Sequence, residues 1–287
     1  MILVTGAAGK TGQAILRALA RRGADARALV RCAEHEPVVL AAGAKEIARG
    51  DLRDAETLAG AARGTAAIYH ICPNVSPDEV EIGGAVAAAA KRSGTGRLVY
   101  HSVLHPQVKA MPHHWRKLRV EELLFTTDLD VTVLQPAVYM QNLRAHWQSI
   151  VEDGVYPVPY GVGSRLSLVD LEDVAEVAAK VLTEDGHAGA IYELCGREAL
   201  DQQEVAAVLT DAVGRQVRAV NIPIGDWRRQ ARASDLDDDR WAALTAMFRY
   251  YDRHGLVGNS NVLHWLLDRE PTSFRAFLER IADRREI

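Results

Sequence analysis

"MILVTGAAGKTGQAIL", residues 1–16, holds two phosphate-binding patterns laid over each other. One is Gly6-x-x-Gly9-x-x-Gly12, the glycine spacing of a strand–turn–helix dinucleotide site; the other is Gly9-Lys10-Thr11, the end of a nucleoside-triphosphate loop. The triphosphate loop needs a glycine five positions before its Gly-Lys pair, so that a wide turn aims several backbone N–H groups at the phosphates. Position 4 is valine, β-branched and continuous with the apolar run Ile2-Leu3-Val4, so the chain there reads as strand. The glycines instead fall at the end of that strand and just inside the helix pattern running on from Gln13. In that place the first glycine makes the turn, the next admits a pyrophosphate close to the backbone, and the last lets helix and strand pack. Taken alone, the triplet also suits an ordinary strand-to-helix turn, so the rest of the chain has to decide.

Short apolar runs alternate with amphipathic stretches beyond this turn, which predicts a doubly wound parallel sheet with helices on both faces. The runs are Asp25–Val30, Ala66–Ile71, Arg97–His101, Val131–Gln135 and Ala190–Leu194, with a third short strand over Lys45–Arg49. Helical patterns lie between them at Val86–Arg92 and Val174–Leu182, the latter behind Asp170-Leu-Glu-Asp173 as a plausible N-cap. The expected division is an α/β Rossmann core over 1–138, continued by about 166–196, and a small, mostly helical lobe over 139–165 and 197–287. That lobe includes "DWRRQARASDLDDDRW" and the helix-rich stretch from Phe248 to Ile281. Ligands bind at the carboxyl ends of the strands in such sheets, so the lobe is expected to shape a substrate pocket or, alternatively, to form a dimerisation surface.

With 287 residues, 48% apolar and 25% charged, the chain is long enough to bury a full core. A net charge of −4 gives no electrostatic reason to expect nucleic acid or an acidic membrane surface as partner. Cys32, Cys72 and Cys195 show no CxxC spacing, so neither a disulfide framework nor a zinc knuckle is indicated. Strand residues begin at position 2 and no apolar run reaches membrane-spanning length, so the expectation is a cytoplasmic monomer or homodimer acting on a small molecule.

A protein selective for NAD usually carries Asp or Glu at the end of the second strand, about 20 residues past the glycines, for the ribose hydroxyls. That place holds Arg31 in Leu29-Val30-Arg31. A guanidinium pairs with a 2′-phosphate where a carboxylate would repel it, so NADP(H) is favoured; the alternative is a solvated surface arginine. Gly50-Asp51-Leu52 ends the third strand, where a carboxylate could accept from the adenine amino group.

These residues together resemble the NmrA-like branch of the atypical short-chain dehydrogenase/reductases. The resemblance runs in order through "VTGAAGKTG" at the first turn, "LVR" after the second strand, "GDL" after the third, "YHSV" after the fifth, "LQPAVYMQN", "LVDLEDVAEVAAKVL" and "REPTSF". It implies a Rossmann-type sheet and NADP(H) bound through Gly6, Gly9, Lys10, Thr11, Gly12, Arg31, Asp51, Leu52 and Pro136. It further implies either reductase chemistry or sensing of the cofactor, with a non-redox lyase or isomerase step as a third possibility. Activities known in the branch include reduction of quinones, of triphenylmethane dyes and of benzylic ethers.

Ordinary members of the superfamily use Tyr-x-x-x-Lys beside a serine, and no lysine of this chain has Tyr four residues earlier. In the expected region stands His113-His114-Trp-Arg-Lys117, just after Pro112, which can open a helix. Residues i and i+4 share a helical face, so His113 and Lys117 could reach one nicotinamide ribose, Lys117 as cofactor contact and His113 as proton donor. His114 could take the place of His113, and Ser102 matches the superfamily serine. Four histidines at 101, 105, 113 and 114 also raise a metal site, but His101 lies at a strand end and His105 at the Pro106 break, so the helical i, i+4 pairing of zinc ligands does not apply and no metal is expected. Pro136 ends the sixth strand and directs Tyr139, Met140 and Asn142 to a cleft or, equally, into packing. Trp227, Trp241, Tyr250 and Tyr251 suit an aromatic lid or the lobe's own core. The resulting expectation is an NADPH-dependent reductase of a small conjugated electrophile, with a non-catalytic redox sensor as its rival.

Overall fold

The computed structural model describes residues 1–230 and 237–283, which form two compact units. The first comprises residues 1–108, 114–135 and 171–192, the second 109–113, 136–170 and 193–287. The middle of the "DWRRQARASDLDDDRW" stretch, 231–236, lies outside the described residues.

In the first unit the order is β1 (Ile2–Val4), α1 (Lys10–Arg21), β2 (Ala26–Val30), α2 (Glu36–Ala41), β3 (Glu46–Arg49), α3 (Ala55–Ala62), β4 (Ala67–His70), α4 (Glu79–Ser93), β5 (Arg97–His101), α5 (Pro112–Phe125) and β6 (Asp130–Pro136). After an excursion into the second unit come α6 (Leu171–Thr183) and β10 (Ile191–Leu194); the first two residues of α5, the last of β6 and the last two of β10 count with the second unit. One seven-stranded sheet results, in the order β10-β6-β5-β4-β1-β2-β3, with β1 between β4 and β2 and the pairs from β3 through to β6 parallel. This is the Rossmann-type doubly wound arrangement, with its topological switch at β1/β4.

The inner strands are buried on both faces, β1 and β4 at every residue and β2, β5 and β6 at all but one, which is why they read as continuous apolar runs rather than alternating ones. On one face Leu58, Ile82, Val86 and Val120 from α3, α4 and α5 pack against Leu3, Ile68 and Leu98. On the other, α1 lies against α6, burying Gly12, Ala14, Ile15, Leu16, Ala18 and Leu19 while Lys10, Arg17, Ala20 and Arg21 face water. Pro112 opens α5 at the first helical position, where its missing N–H costs nothing.

The second unit contains β7 (Val138–Tyr139), β8 (Val155–Val158), β9 (Leu166–Val169), β11 (Ala199–Leu200) and β12 (Arg218–Asn221). Its helices are α7 (Gln202–Val213), α8 (Ile224–Gln230), α9 (Asp238–His254), α10 (Asn261–Leu267) and α11 (Phe274–Asp283). The strands form a three-stranded sheet, β11-β9-β7, and a parallel pair, β12-β8. Strands this short carry too few residues to announce themselves by alternation. A capping box, with Asp201 and Glu204 bonding each other's backbone, starts α7. Trp241 and Tyr251 are buried, and Trp227 meets Trp241 and Phe248 edge-on at 5.5 and 4.7 Å, so these aromatics build the unit's core. Among the described residues no helix is long and apolar enough to cross a membrane.

Candidate active site

The carboxyl ends of β1, β2 and β3 carry the expected phosphate and ribose residues. Gly6 sits at φ +59°, and a Cβ there would lie 3.0 Å from the Ile71 carbonyl oxygen. A Cβ on Gly12 would come 2.4 Å from the Gly6 oxygen and 2.6 Å from the Ala7 Cα, both backbone atoms. The start of α1 therefore packs directly on the turn. Gly9, its N-cap, offers no side-chain cap, and the first turn of α1 holds no acidic residue. The positive end of the helix dipole is thus left for an external anion, beside the exposed Lys10 and half-buried Thr11. Thr5 fastens the end of β1 to β4, its Oγ1 accepting from Ile71 N at 2.9 Å. Arg31, one residue past β2, is exposed and makes no hydrogen bond or ion pair among the described residues. Asp51 and Leu52 follow β3 half-buried; Asp51 accepts from the Arg53 N–H at 2.9 Å, and Leu52 leans on the core.

The ends of β4 and β5 hold a polar interior. Lys117 is buried on α5 and donates to Glu79 Oε1 at 2.8 Å and to the His101 carbonyl at 3.0 Å. Its ammonium also stands 5.1 Å from the centre of the Tyr100 ring, whose hydroxyl donates to the same Glu79 oxygen at 2.8 Å. Two of the three ammonium hydrogens are thereby assigned. Ser102 donates to Glu121, and Gln135 Nε2 donates to both Glu121 oxygens at 3.0 Å. Tyr69 OH and His101 Nδ1 lie 2.6 Å apart, and Thr5 Oγ1 and His70 Nδ1 2.9 Å apart. Burial pulls the pKa values of His70 and His101 down to about 3, with the Lys117 charge adding to the effect. Both imidazoles are therefore neutral at physiological pH.

His113 and His114 occupy the second and third positions of α5, and both are buried. Burial takes His114 to about 4, against hydrogen bonding to the backbone of His105 and Leu104 that favours its charged form. The structure places Lys117 and Ser102 in one polar interior; His113 belongs to the second unit. Among the described residues no group of three or more His, Cys, Asp or Glu side chains is arranged to hold a metal ion. Pro136 closes β6, Tyr139 is half-buried in β7, and Asn142 is exposed in the turn after it.

Three participants escape the reading of the sequence: Glu79, Glu121 and Gln135. Glu121 carries a signal, since it continues the four-residue spacing of His113 and Lys117 along α5. Glu79 stands in the first turn of α4, where an acid is the ordinary complement of the helix dipole, and nothing local marks it for Lys117.

The pattern of the NmrA-like family matches residues 1–278. The NAD(P)H azoreductase of Xenophilus azovorans is 31% identical over 286 residues, covering 96% of each chain. Quinone oxidoreductase 2 of Escherichia coli (strain K12) is 26% identical over 275 residues, 95% of this chain and 96% of the relative. The crystal structure of the NADPH-dependent quinone oxidoreductase of Escherichia coli complexed with NADPH superposes with a TM-score of 0.85 at 25% identity, covering 98% of this chain and 100% of the other.

Proposed function

Because the chain belongs to the NmrA-like family, we propose that it is an NADPH-dependent reductase transferring hydride to a small conjugated electrophile, such as a quinone, an enone or an imine- or dye-like acceptor. The observation that carries the cofactor choice is Arg31, exposed and uncommitted just past β2 where an NAD-selective protein places a carboxylate. The uncapped start of α1 and the cradle that a Cβ on Gly12 would fill suit the pyrophosphate. The azoreductase and quinone oxidoreductase named among the relatives support the acceptor class.

Bound NADPH supplies hydride from C4 of its nicotinamide. The backbone from Gly6 to Gly12, with Lys10 and Thr11, binds the pyrophosphate; Arg31 pairs with the 2′-phosphate; Asp51 and Leu52 flank the adenine. Lys117, with Glu79 and the His101 carbonyl fixing two of its hydrogens, directs the third to the nicotinamide ribose. Ser102 orients the acceptor oxygen. His114 contacts the rest of the substrate. A quinone or cationic dye already stabilises the incoming charge, which makes the loss of the superfamily tyrosine tolerable.

Stopped-flow mixing of the NADPH complex with quinones, enones and cationic dyes tests this reading. Loss of the nicotinamide absorbance that depends on the acceptor is the expected result. Binding of NADPH without oxidation by any of them would instead mark a redox sensor.

A further inference from the structure

Three carboxylates lie buried in the first unit, Glu79, Glu121 and Asp173, and the first two, which flank Lys117, are compensated differently. Glu79 faces the Lys117 ammonium at 2.8 Å. Glu121 receives only neutral donors, the Ser102 hydroxyl and the Gln135 amide, although it is 3% exposed. The three groups come from separate elements: Ser102 directly follows β5, Glu121 is on α5 and Gln135 is on β6. Ser102 is pinned by its own N–H, which donates to the Leu134 carbonyl at 2.8 Å. The charged and titratable groups around this cluster are Lys117 one turn earlier on α5, Glu79 on α4 and Tyr100 on β5. Lys117 is held by Glu79, so no cation bonds Glu121. A buried carboxylate without a cation gains from taking up a proton. Burial indeed pushes the Glu121 carboxyl up, against the Ser102 and Gln135 hydrogen bonds and the Lys117 charge.

We propose that Glu121, acting through the Ser102 hydroxyl, holds the proton that a neutral carbonyl or quinone acceptor takes up with the hydride. This rests on the reductase reading above and adds the source of its proton. When Glu121 is ionised, the Ser102 O–H donates to it and is unavailable to substrate. When Glu121 is protonated, its own O–H donates to Ser102 Oγ, and the serine proton turns to the acceptor oxygen. With a carbonyl, hydride adds to carbon and the C=O π pair moves onto oxygen; with a quinone, hydride adds to one quinone oxygen and the electron pair moves through the ring onto the other. In each case the oxygen that gains the pair takes the serine proton as the Glu121 O–H breaks and reprotonates Ser102 Oγ. The products are the reduced acceptor carrying one added hydride and one added proton, NADP⁺, and a Glu121 carboxylate that solvent later reprotonates. Ser102 touches the reacting oxygen; Glu121 is the positioning residue behind it.

Single-turnover oxidation of NADPH by the full-length chain, followed from pH 5 to 9 with menadione and with the cationic dye malachite green, reads this directly. In wild-type protein the menadione rate is expected to fall as Glu121 ionises. In Glu121→Gln that limb disappears, and the menadione rate drops roughly 10²-fold relative to the dye rate, which needs no proton. Glu121→Asp, which restores an acid, is expected to bring part of the limb back. An unchanged limb in Glu121→Gln, or its loss in His113→Ala instead, overturns the proposal while leaving the reductase reading intact. No turnover with either acceptor in wild-type protein overturns both. Infrared spectra of the wild-type protein need no variant: absence of a protonated carboxyl band that fades with rising pH in step with the menadione limb overturns the proton store on its own.

Discussion

At Lys117 the ammonium is held by a carboxylate with no exposed surface. Breaking such a pair from one side strands the other charge in a medium that solvates it poorly, typically at about 3–5 kcal/mol. Lys117→Ala is therefore expected to destabilise the fold by about that amount, and Lys117→Met combined with Glu79→Gln to recover most of it, as urea unfolding of the singles and the double variant would show. A Lys117 role confined to the cofactor would leave unfolding unchanged and make the two sites additive. Arg31 is the opposite case. It is exposed, so Arg31→Ala is expected to shift stability by less than about 0.5 kcal/mol. Its effect falls on NADPH affinity, weakened by roughly 10- to 150-fold with NADH binding unchanged, in titration calorimetry of both cofactors. Equal losses for the two would remove the 2′-phosphate from its role. The sequence shows Arg31, Ser102 and Lys117 because each stands at a fixed offset from a strand end or along one helix. It does not show that Glu79 meets Lys117, because that depends on which faces of α4 and α5 come together.

The start of α1 illustrates how an element can be fixed by what is missing. A Cβ at Gly12 meets backbone at 2.4 Å, and backbone cannot swing aside as a side chain end can. Gly12→Ala is expected to cost about 1–3 kcal/mol by overpacking, and to abolish NADPH binding by displacing the turn. Gly60, inside α3, has nothing within 4 Å of a built Cβ, so Gly60→Ala is expected to be neutral or to stabilise by up to about 1 kcal/mol. Thermal unfolding of the pair, with and without NADPH, separates packing from helix propensity. The same elements were legible from sequence: the apolar runs fall on β1, β2, β4, β5, β6 and β10, and Pro112 starts α5. The five strands of the second unit were not, since pairs such as Val138–Tyr139 and Ala199–Leu200 are too short to show a period of two.

Across the whole molecule, buried histidines set the response to acid. His70, His101 and His114 have folded-state pKa values lowered to about 3, 3 and 4. In the unfolded chain they bind protons near the ordinary value of about 6.5, so the unfolded state takes up protons first as pH falls. Stability is therefore complete above about pH 6.5 and lost below it, each histidine contributing up to about 1.4 kcal/mol per pH unit until its folded-state value is reached. Glu121 acts with the opposite sign: its raised carboxyl contributes most below the usual carboxylate value, and that contribution is lost as pH rises through its folded-state value. Urea unfolding at pH 7.5 and pH 5 is expected to show the loss, with three imidazoles in the folded protein still untitrated at pH 5 by NMR. Three normally titrating histidines would contradict this account. The helix that begins at Gly9 without a cap, and with no acid in its first turn, makes the folded chain a partner in its own ligand's economy. A nucleotide present at a hundred times its Kd adds about 2.7 kcal/mol to the folded state and none to the unfolded one. The lifetime of the chain against proteolysis then follows the dinucleotide pool, so depletion of the ligand thins out the protein without any change in its synthesis.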